Sequence, residues 1–326
     1  MVNLKINNVV RERQVEDDFI RLDRNMLIGK HDDNILNFTE DLNIEEFSFY
    51  PKLTETYDSL SNSLGISSKN LLITKGVGDA LRIIFNTYSF EKNNRKVLFQ
   101  KPNYAMYRVF SDIFKHCRIQ VPIEQILNIQ DFNSVGMVAI VNPSPYDYHI
   151  KNKELNDFIV TCQKYGILIV LDEIYSGFGT TSILDDYDIN SYENLIVVNS
   201  YSKSHMLPSM RIGYIISNEK IINELGTTRL CYELSYLESE LLKYVIKYND
   251  YFVQFKNGVI KEHKKMKKSY KVLRGDFTFN LYLDWNEDKV KLLKQEGIIV
   301  GKYLNNIFFS VPLLGNVKNK VEDILL

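Results

Sequence analysis

The chain has 326 residues, of which 45% are hydrophobic, and this is enough to bury a large core in one or two domains. Its 40 basic and 41 acidic side chains give a net charge of -1, which excludes an overall basic surface for nucleic acid. The three cysteines are far apart, so we expect neither a disulfide framework nor a metal site. No apolar run approaches the roughly 20 residues of a transmembrane helix, and the first residues lack a signal-peptide core. These features predict a cytoplasmic protein that contacts neither membrane nor nucleic acid.

Short β-branched apolar runs alternate with amphipathic stretches through the middle of the chain. The apolar runs predict buried strands at residues 71–74, 96–100, 137–141, 167–171, 195–198 and 211–217. The amphipathic stretches between them predict helices, of which Asp79–Tyr88 and Asn152–Tyr165 are the clearest. This alternation predicts an α/β fold with a mostly parallel central sheet and ligands at the carboxyl ends of its strands.

The pattern changes after about residue 245. Residues 259–273 are rich in lysine and repeat apolar positions at helical spacing, and strand-like segments follow at 277–285, 298–303 and 306–313. We therefore predict a large α/β domain over residues 46–245. Residues 246–326, together with the N-terminal residues 1–45, are predicted to form a smaller α+β domain.

The segment 197–213 carries the sharpest chemical signal. It leaves a strand, passes Ser200, Ser202 and Lys203, and reaches Arg211 eight residues after the lysine. A lysine in this place can form an imine with an aldehyde cofactor. The two hydroxyls and the guanidinium suit a phosphate group. Taken alone, the segment also fits a capped loop that carries a surface lysine.

A second signal is Asp172, at the end of a buried strand in the sequence VLDEIYSG. A carboxylate there needs a cationic or hydrogen-bonding partner, and a protonated pyridine nitrogen would be one. Asp172 would then keep such a ring charged as an electron sink, and Tyr175 could reach an oxygen on the ring. The alternative is that Asp172 only caps a helix. Glu173 is expected to be solvated or capping and not catalytic.

Three further motifs lie at predicted strand ends. The glycines of TKGVGDA, residues 74–80, would let backbone N–H groups approach an anion at a helix N-terminus. Leu81 replaces the third glycine of a dinucleotide fingerprint, which disfavours a nucleotide-binding oxidoreductase. Tyr104 could lay its ring against a flat ligand, and Asn142, held by Pro143, could donate to a ring oxygen. Each motif alone also fits a turn or a core position.

The order and spacing of these motifs resemble fold-type I enzymes of aminotransferase class I/II, which depend on pyridoxal 5'-phosphate (PLP). The histidinol-phosphate aminotransferase branch is the most similar, and the resemblance runs from about residue 20 to about residue 315. The motifs that carry it are Arg21-Leu22-Asp23-Arg24-Asn25, Phe49-Tyr50-Pro51, Gly76-Val77-Gly78-Asp79, Pro102-Asn103-Tyr104-Ala105-Met106-Tyr107, Asn142-Pro143, Asp172-Glu173-Ile174-Tyr175, Ser200-Tyr201-Ser202-Lys203 and Arg211. The resemblance implies the fold-type I transferase fold and PLP as the cofactor.

The resemblance also implies a role for each site residue. Lys203 would form the imine, Asp172 would pair with the pyridine nitrogen, and Tyr175 and Asn142 would hold the ring oxygen. Tyr104 would stack on the ring. The phosphate would be held by Val77, Gly78, Ser200, Ser202 and Arg211. Tyr50 would reach the phosphate of the neighbouring subunit, so the resemblance implies a homodimer.

Two departures from the family pattern concern the substrate. Family members carry an arginine in a C-terminal strand that binds the substrate carboxylate, and Phe308 stands at that position here. Lys302 is a candidate substitute, unless the substrate lacks a carboxylate at that end. The family turn N-P-x-N-P-T-G is also altered, at residues 142–148. We therefore expect substrate choice to differ from that usual in the branch.

The sequence thus predicts a PLP-dependent aminotransferase. It would move an amino group between a small amine or amino acid, phosphorylated or not, and a carbonyl acceptor. A PLP-dependent amino-acid decarboxylase on the same fold is the first alternative, because carboxylate contacts decide which bond breaks. A PLP-binding regulatory protein without turnover is the second alternative, which the absent arginine supports.

Overall fold

The computed structural model describes residues 19–27, 29, 31, 38–39, 42–89, 95–146, 148–270 and 272–326. Most of the predicted N-terminal segment 1–45 and residue 147 of the altered turn therefore lie outside the described residues. The strands are β1 Ile20–Arg21, β2 Leu71–Thr74, β3 Lys96–Gln100, β4 Arg118–Val121, β5 Val135–Val141, β6 Leu168–Asp172, β7 Leu195–Ser200, β8 Gly213–Ser217, β9 Asn280–Asp284, β10 Ile298–Ile299, β11 Gly301–Tyr303 and β12 Asn306–Ser310. The helices are α1 Thr54–Leu64, α2 Val77–Thr87, α3 Ala105–Ile113, α4 Ile123–Leu127, α5 Asn152–Lys164, α6 Tyr201–Ser204, α7 Glu219–Gly226, α8 Tyr236–Lys247, α9 Asn249–Ser269, α10 Glu287–Gln295 and α11 Gly315–Leu325.

A seven-stranded sheet forms the centre of the molecule, in the order β2-β8-β7-β6-β5-β3-β4. Every neighbouring pair is parallel except the two that include β8. Every residue of β2, β5 and β6 is buried, as expected for strands that helices cover on both faces. The predicted α/β class and mostly parallel sheet are confirmed, and all six predicted central strands are present, two with the predicted bounds and four with ends that shift by one or two residues. The sequence did not indicate β4, because this edge strand is only partly buried.

Two apolar clusters cover the two faces of this sheet, and helices supply much of each. Helix α5 buries the predicted stripe of Leu155, Phe158, Ile159 and Cys162 in the first cluster. Helix α2 packs in the second cluster and begins at Val77, two residues before the predicted start. This earlier start places the helix N-terminus beside the strand ends. No helix within the described ranges is long and apolar enough to cross a membrane.

A third apolar cluster unites the two ends of the described chain. It combines Leu22 with residues from Met266 to Leu325. Strand β1 pairs with β10, and β9, β12 and β11 form an antiparallel sheet. Helix α9 is shared, because Phe252 and Val259 pack with the clusters of the large sheet and Met266 packs with the third. This arrangement is compatible with the predicted small domain, whose boundary at residue 245 stays a prediction.

Candidate active site

The carboxyl ends of β3, β5, β6 and β7 and the turn after β2 meet at one cavity of about 370 Å³. This volume lies within the range of small-molecule sites. Strand β8 runs antiparallel between β2 and β7, so the ends of β2 and β7 lie at the same edge of the sheet. Nine predicted site residues line the cavity: Val77, Gly78, Tyr104, Asp172, Tyr175, Ser200, Ser202, Lys203 and Arg211.

Asp172 is the last residue of β6 and is only 2% exposed. Its carboxylate accepts hydrogen bonds from the Ile174 backbone N–H at 3.1 Å and the Tyr107 hydroxyl at 3.0 Å. Burial raises the pKa of Asp172 to about 6, although these two donors and the Lys203 charge act in the opposite direction. Among the described basic groups, none lies within ion-pairing distance of this carboxylate. A buried, unpaired carboxylate that faces a cavity suits a cationic ligand atom.

Lys203 lies on α6, the single turn of helix that follows β7. Its side chain is half-buried in the cavity wall, and its amine donates a hydrogen bond to the Asn25 carbonyl. Burial and, to a smaller extent, the Arg211 charge lower the pKa of Lys203 to about 8, although the Asp172 charge partly opposes them. With this pKa about a tenth of the amine is neutral at pH 7, far more than for an ordinary lysine, and the neutral form is the nucleophile.

An anion cradle forms between α2 and α6. The first N–H groups of a helix have no partner within it, and α2 begins with Val77 and Gly78, which line the cavity. The Ser200 hydroxyl lies 2.8 Å from the Ser202 hydroxyl, which also lines the cavity. Arg211 has φ +56°, and its guanidinium donates a hydrogen bond to the Pro208 carbonyl at 3.0 Å. This bond fixes the guanidinium beside the turn that joins β2 to α2.

Two glycines allow this cradle to close. Gly76 has φ +80°, a left-handed conformation that turns the chain from β2 into α2. Gly213 begins β8 directly against this turn, and a Cβ at Gly213 would lie only 2.7 Å from the Gly76 Cα. Any larger residue at 213 would therefore push the turn and its N–H groups away from their positions.

Asn142 directly follows β5, and its side chain bonds to the backbone of Ile150. Its side-chain oxygen accepts from the Ile150 N–H at 2.8 Å, and its amide donates to the Ile150 carbonyl at 3.0 Å. The side chain therefore clamps the loop after β5, and Asn142 is not among the cavity-lining residues. The Asn142 side chain thus has backbone partners in this structure, and its role in holding the ring oxygen stays a prediction. Pro145 and Tyr146 of the same loop face the cavity instead.

The predicted aromatic residues differ in position. Tyr175 is buried in the cavity wall, and burial with the nearby Asp172 charge raises its pKa well above the usual range. Tyr104 is 51% exposed at the cavity, beside Gly78. Tyr50 is 74% exposed, stacks on Tyr232 at 4.3 Å between ring centroids, and is not part of the cavity wall of its own chain. A role for Tyr50 in a neighbouring subunit stays a prediction.

Several residues at the cavity were not predicted from the sequence. The N-terminal segment contributes Arg24, Asn25 and Met26, and the end of β3 contributes Gln100. Tyr107, which is fully buried one helical turn after Tyr104, holds Asp172 from behind. The only sequence signals were the resemblance of residues 21–25 to a family motif and the second tyrosine of PNYAMY. Glu173 is buried and accepts from the Ser182 hydroxyl and the Ile183 N–H, so it is a capping residue and is not solvated.

The C-terminal strand position at which family members carry an arginine places no charged side chain at the cavity. Phe308 on β12 lies over Gly301 and stacks on Tyr282 at 5.9 Å between ring centroids. The Lys302 amine lies 4.3 Å from the centre of the Trp285 ring, and neither Phe308 nor Lys302 lines the cavity. Lys302 therefore does not replace the missing arginine.

The lining residues fit PLP. Asp172 meets the need of a protonated ring nitrogen, Lys203 can bond an aldehyde, and the cradle at Val77, Gly78 and Arg211 can hold a phosphate. The cavity volume also suits a ligand of that size.

Comparison with known proteins agrees with this reading. Residues 42–302 match the family model of aminotransferase class I and II. The histidinol-phosphate aminotransferase of Thermotoga neapolitana is 29% identical over 227 residues, which are 66% of this chain and 66% of the relative. The chain is therefore aligned with about two thirds of that relative's length.

Solved structures share the fold. Histidinol-phosphate aminotransferase from Sinorhizobium meliloti in complex with PLP has a TM-score of 0.77 at 15% identity, covering 93% of this chain and 91% of the other. L-threonine-O-3-phosphate decarboxylase from Porphyromonas gingivalis also has a TM-score of 0.77, at 16% identity, covering 94% of this chain and 99% of the other. At these identities the likeness concerns the fold alone. The predicted fold type, the PLP cofactor and the similarity to the histidinol-phosphate branch are confirmed, and the chain belongs to the PLP-dependent aminotransferases of class I and II.

Proposed function

We propose that this protein is a PLP-dependent aminotransferase that moves an amino group between a small amine or amino acid, phosphorylated or not, and a carbonyl acceptor. The observation that carries the proposal is the meeting of Lys203 and Asp172 in one cavity. Burial moves their pKa values toward each other, to about 8 and about 6. Such perturbed pairs are typical of catalytic sites.

Lys203 is the residue that we expect to move the proton. When bound, PLP supplies an aldehyde that bonds to amines and a protonated ring that draws electron density from the substrate. The Lys203 amine, once displaced by the incoming amine, is neutral often enough to take a proton from the substrate Cα. The same amine can return this proton to the cofactor carbon that carried the aldehyde, as transamination requires.

Asp172 and the anion cradle position the reactants. The Asp172 carboxylate can hold a proton at the ring nitrogen, and Tyr107 and Ile174 keep that carboxylate in place. The Tyr175 hydroxyl can donate a hydrogen bond to the ring oxygen, because the raised pKa of Tyr175 keeps the phenol protonated. The N-terminus of α2 and Arg211 would anchor the phosphate and thereby fix the ring against Lys203.

A spectroscopic screen tests the proposal. Protein supplied with PLP should be yellow, and a suitable amino donor should bleach this colour as the cofactor takes up the amino group. A later addition of a keto acid should restore it. Carbon dioxide release without this reversible bleaching would favour the decarboxylase alternative. Absence of any spectral change with every donor would favour binding without turnover.

We also propose a homodimer in which Tyr50 completes the site of the neighbouring subunit. Segments 43–50 and 230–237 contact each other through the Tyr50–Tyr232 stack and an edge contact of Phe47 with Tyr236. Together they expose a group of large apolar side chains: Ile44, Phe47, Phe49, Tyr50, Leu230, Tyr232 and Leu237. A contiguous exposed apolar surface of this kind is typical of a protein interface.

Mixing two inactive variants tests the shared site. Tyr50→Ala and Lys203→Ala should each have low activity, and exchange of their subunits should restore about one quarter of the normal activity, because half of the dimers are mixed and each contains one complete site. Light scattering should give twice the chain mass of 38.2 kDa. A monomeric parent protein, or no recovery after subunit exchange, would contradict the proposal.

Cytoplasmic location stays a prediction, which three free cysteines favour and cell fractionation would test.

A further inference from the structure

The basic residues of the cavity wall outnumber the acidic ones. Among the described lining residues, Arg24, Lys203 and Arg211 are basic, and Asp172 is acidic. Under the proposed function, Lys203 and Arg211 serve the cofactor, and Asp172 serves its ring nitrogen. Arg24 is the third basic lining residue, and the proposed function does not use it to hold the cofactor. An arginine in a ligand cavity most often binds a carboxylate or phosphate, since its planar fork matches their paired oxygens.

The backbone next to Arg24 is fixed to the reactive part of the site. The carbonyl of Asn25, the next residue, accepts a hydrogen bond from the Lys203 amine. The Asn25 side chain accepts from the Asn280 amide at 2.7 Å, which ties it to β9. Arg24 therefore stands one residue from a direct contact of the proposed catalytic amine.

The other side of the segment is fixed as well. The Leu22 N–H donates to the Ile299 carbonyl at 2.9 Å, and the Leu22 carbonyl accepts from the Ser310 N–H at 2.9 Å. Leu22 is fully buried in the third apolar cluster. Arg24 lies between these two anchors, and the residue is exposed. A preorganised backbone lowers the entropic cost of holding a ligand.

The remaining candidates for anion recognition are in the wrong place. Phe308 stacks on Tyr282, and Lys302 lies over Trp285, outside the cavity wall. Tyr146, which does line the cavity, is backed by Tyr303 at 4.7 Å between ring centroids. This side of the cavity is therefore aromatic and cannot replace a charged partner for a substrate anion.

We propose that Arg24 binds the anionic group of the substrate, a carboxylate or a phosphate, and so restricts the enzyme to amines that carry such a group. This inference rests on the proposed function. It assigns to the N-terminal segment the anion-binding role that an arginine of the C-terminal strand has in family members. Because that segment also contacts Lys203, binding of the anion would place the substrate amine beside the residue with which it exchanges.

Calorimetry on the PLP-loaded protein tests this proposal without turnover. The probes are glutarate for a carboxylate, glycerol phosphate for a phosphate, and glycerol as the neutral compound. Loading with PLP first occupies the cradle at α2, so that the probes report on the remaining anion site. The variants are Arg24→Gln, Arg24→Lys and, as a matched control with an exposed base outside the cavity, Lys302→Gln.

The parent protein should bind at least one anion more tightly than glycerol, and the stronger of the two anions identifies the substrate class. Arg24→Gln should weaken that binding about tenfold, as expected for a charge-assisted hydrogen bond at a partly exposed site. Arg24→Lys should weaken it less, and Lys302→Gln should leave it unchanged. Equal binding of anions and glycerol by the parent, or equal affinity in Arg24→Gln, would overturn the proposal.

The outcome is independent of the proposed reaction. Failure of every amino donor to bleach the cofactor would refute amino transfer and leave the anion titrations untouched. Loss of anion binding in Arg24→Gln, with the cofactor absorption band retained, would locate the defect at the substrate. Loss of the band as well would show that Arg24 supports the cofactor, and this result would count against the proposal.

Discussion

Replacement of Lys203 by alanine should abolish amino transfer and the imine absorption band of the PLP-loaded protein. The variant loses both the amine that bonds the cofactor and the base that moves the Cα proton. Positioned proton transfer alone contributes up to roughly 10⁴-fold, so the rate should fall at least that far. Cofactor can still enter, because the cradle of Val77, Gly78 and Arg211 remains. Single-turnover kinetics with a donor found in the screen would measure the rate.

A second lysine provides the matched control for this experiment. Lys256 is also partly buried with a lowered pKa, and its amine lies near Gly177, away from the cavity wall. Lys256→Ala should keep the absorption band and the activity. Borohydride reduction of the parent, followed by peptide mass spectrometry, should locate the cofactor on Lys203. A cofactor attached to another lysine, or an unchanged imine absorption band in Lys203→Ala, would contradict the assignment.

Lys203 and Asp172 could be placed from sequence because each follows a recognisable buried strand. In a parallel sheet the carboxyl ends of such strands meet at one edge, so residues 31 positions apart in the chain become neighbours. The glycine turn before α2 was predictable for the same reason. The fold class, the central strands and most of the cofactor site therefore follow from local patterns.

The failures concern residues whose roles depend on tertiary contacts. Asn142 directly follows β5, but the next loop returns Ile150 to its side chain, and no local pattern reveals this contact. Arg24 reaches the cavity only because Leu22 packs against strands from the other end of the chain. Tyr107 supports Asp172 from a helix 65 residues earlier. Sequence spacing carries little information about such distant pairs.

Replacement of Asp172 by asparagine should have opposite effects on activity and on stability. Without a carboxylate at the ring nitrogen, amino transfer should slow by roughly 10³-fold, comparable to the loss of other preorganised electrostatic contacts. The unfolding free energy of the cofactor-free protein should rise instead. The native state raises the pKa of Asp172 from 3.8 to about 6, which corresponds to a cost of about 3 kcal/mol for the ionised group.

The sign of this effect determines its pH dependence. Since the folded protein favours the protonated carboxyl, the cost is absent below pH 3.8, grows as the pH rises through about 6, and is constant above about 7. Urea unfolding of the cofactor-free proteins should therefore show Asp172→Asn gaining about 1 to 3 kcal/mol over the parent at pH 8, and less at pH 5. Added PLP should reduce or reverse the difference, because only the parent offers a counter-charge to the ring.

A variant of the neighbouring acid Glu173 distinguishes the catalytic role of Asp172 from the general effect of a buried acid. Glu173 is equally buried, and burial raises its pKa to about 7, but it faces Ser182 and Ile183 and does not line the cavity. Glu173→Gln should change stability and leave the absorption spectrum and proton transfer intact. A fall in activity in Glu173→Gln equal to that in Asp172→Asn would indicate that both substitutions merely disturb the end of β6. A large fall confined to Asp172→Asn, with a more stable cofactor-free protein, would mean that the fold tolerates a destabilising charge at this position for the sake of the reaction.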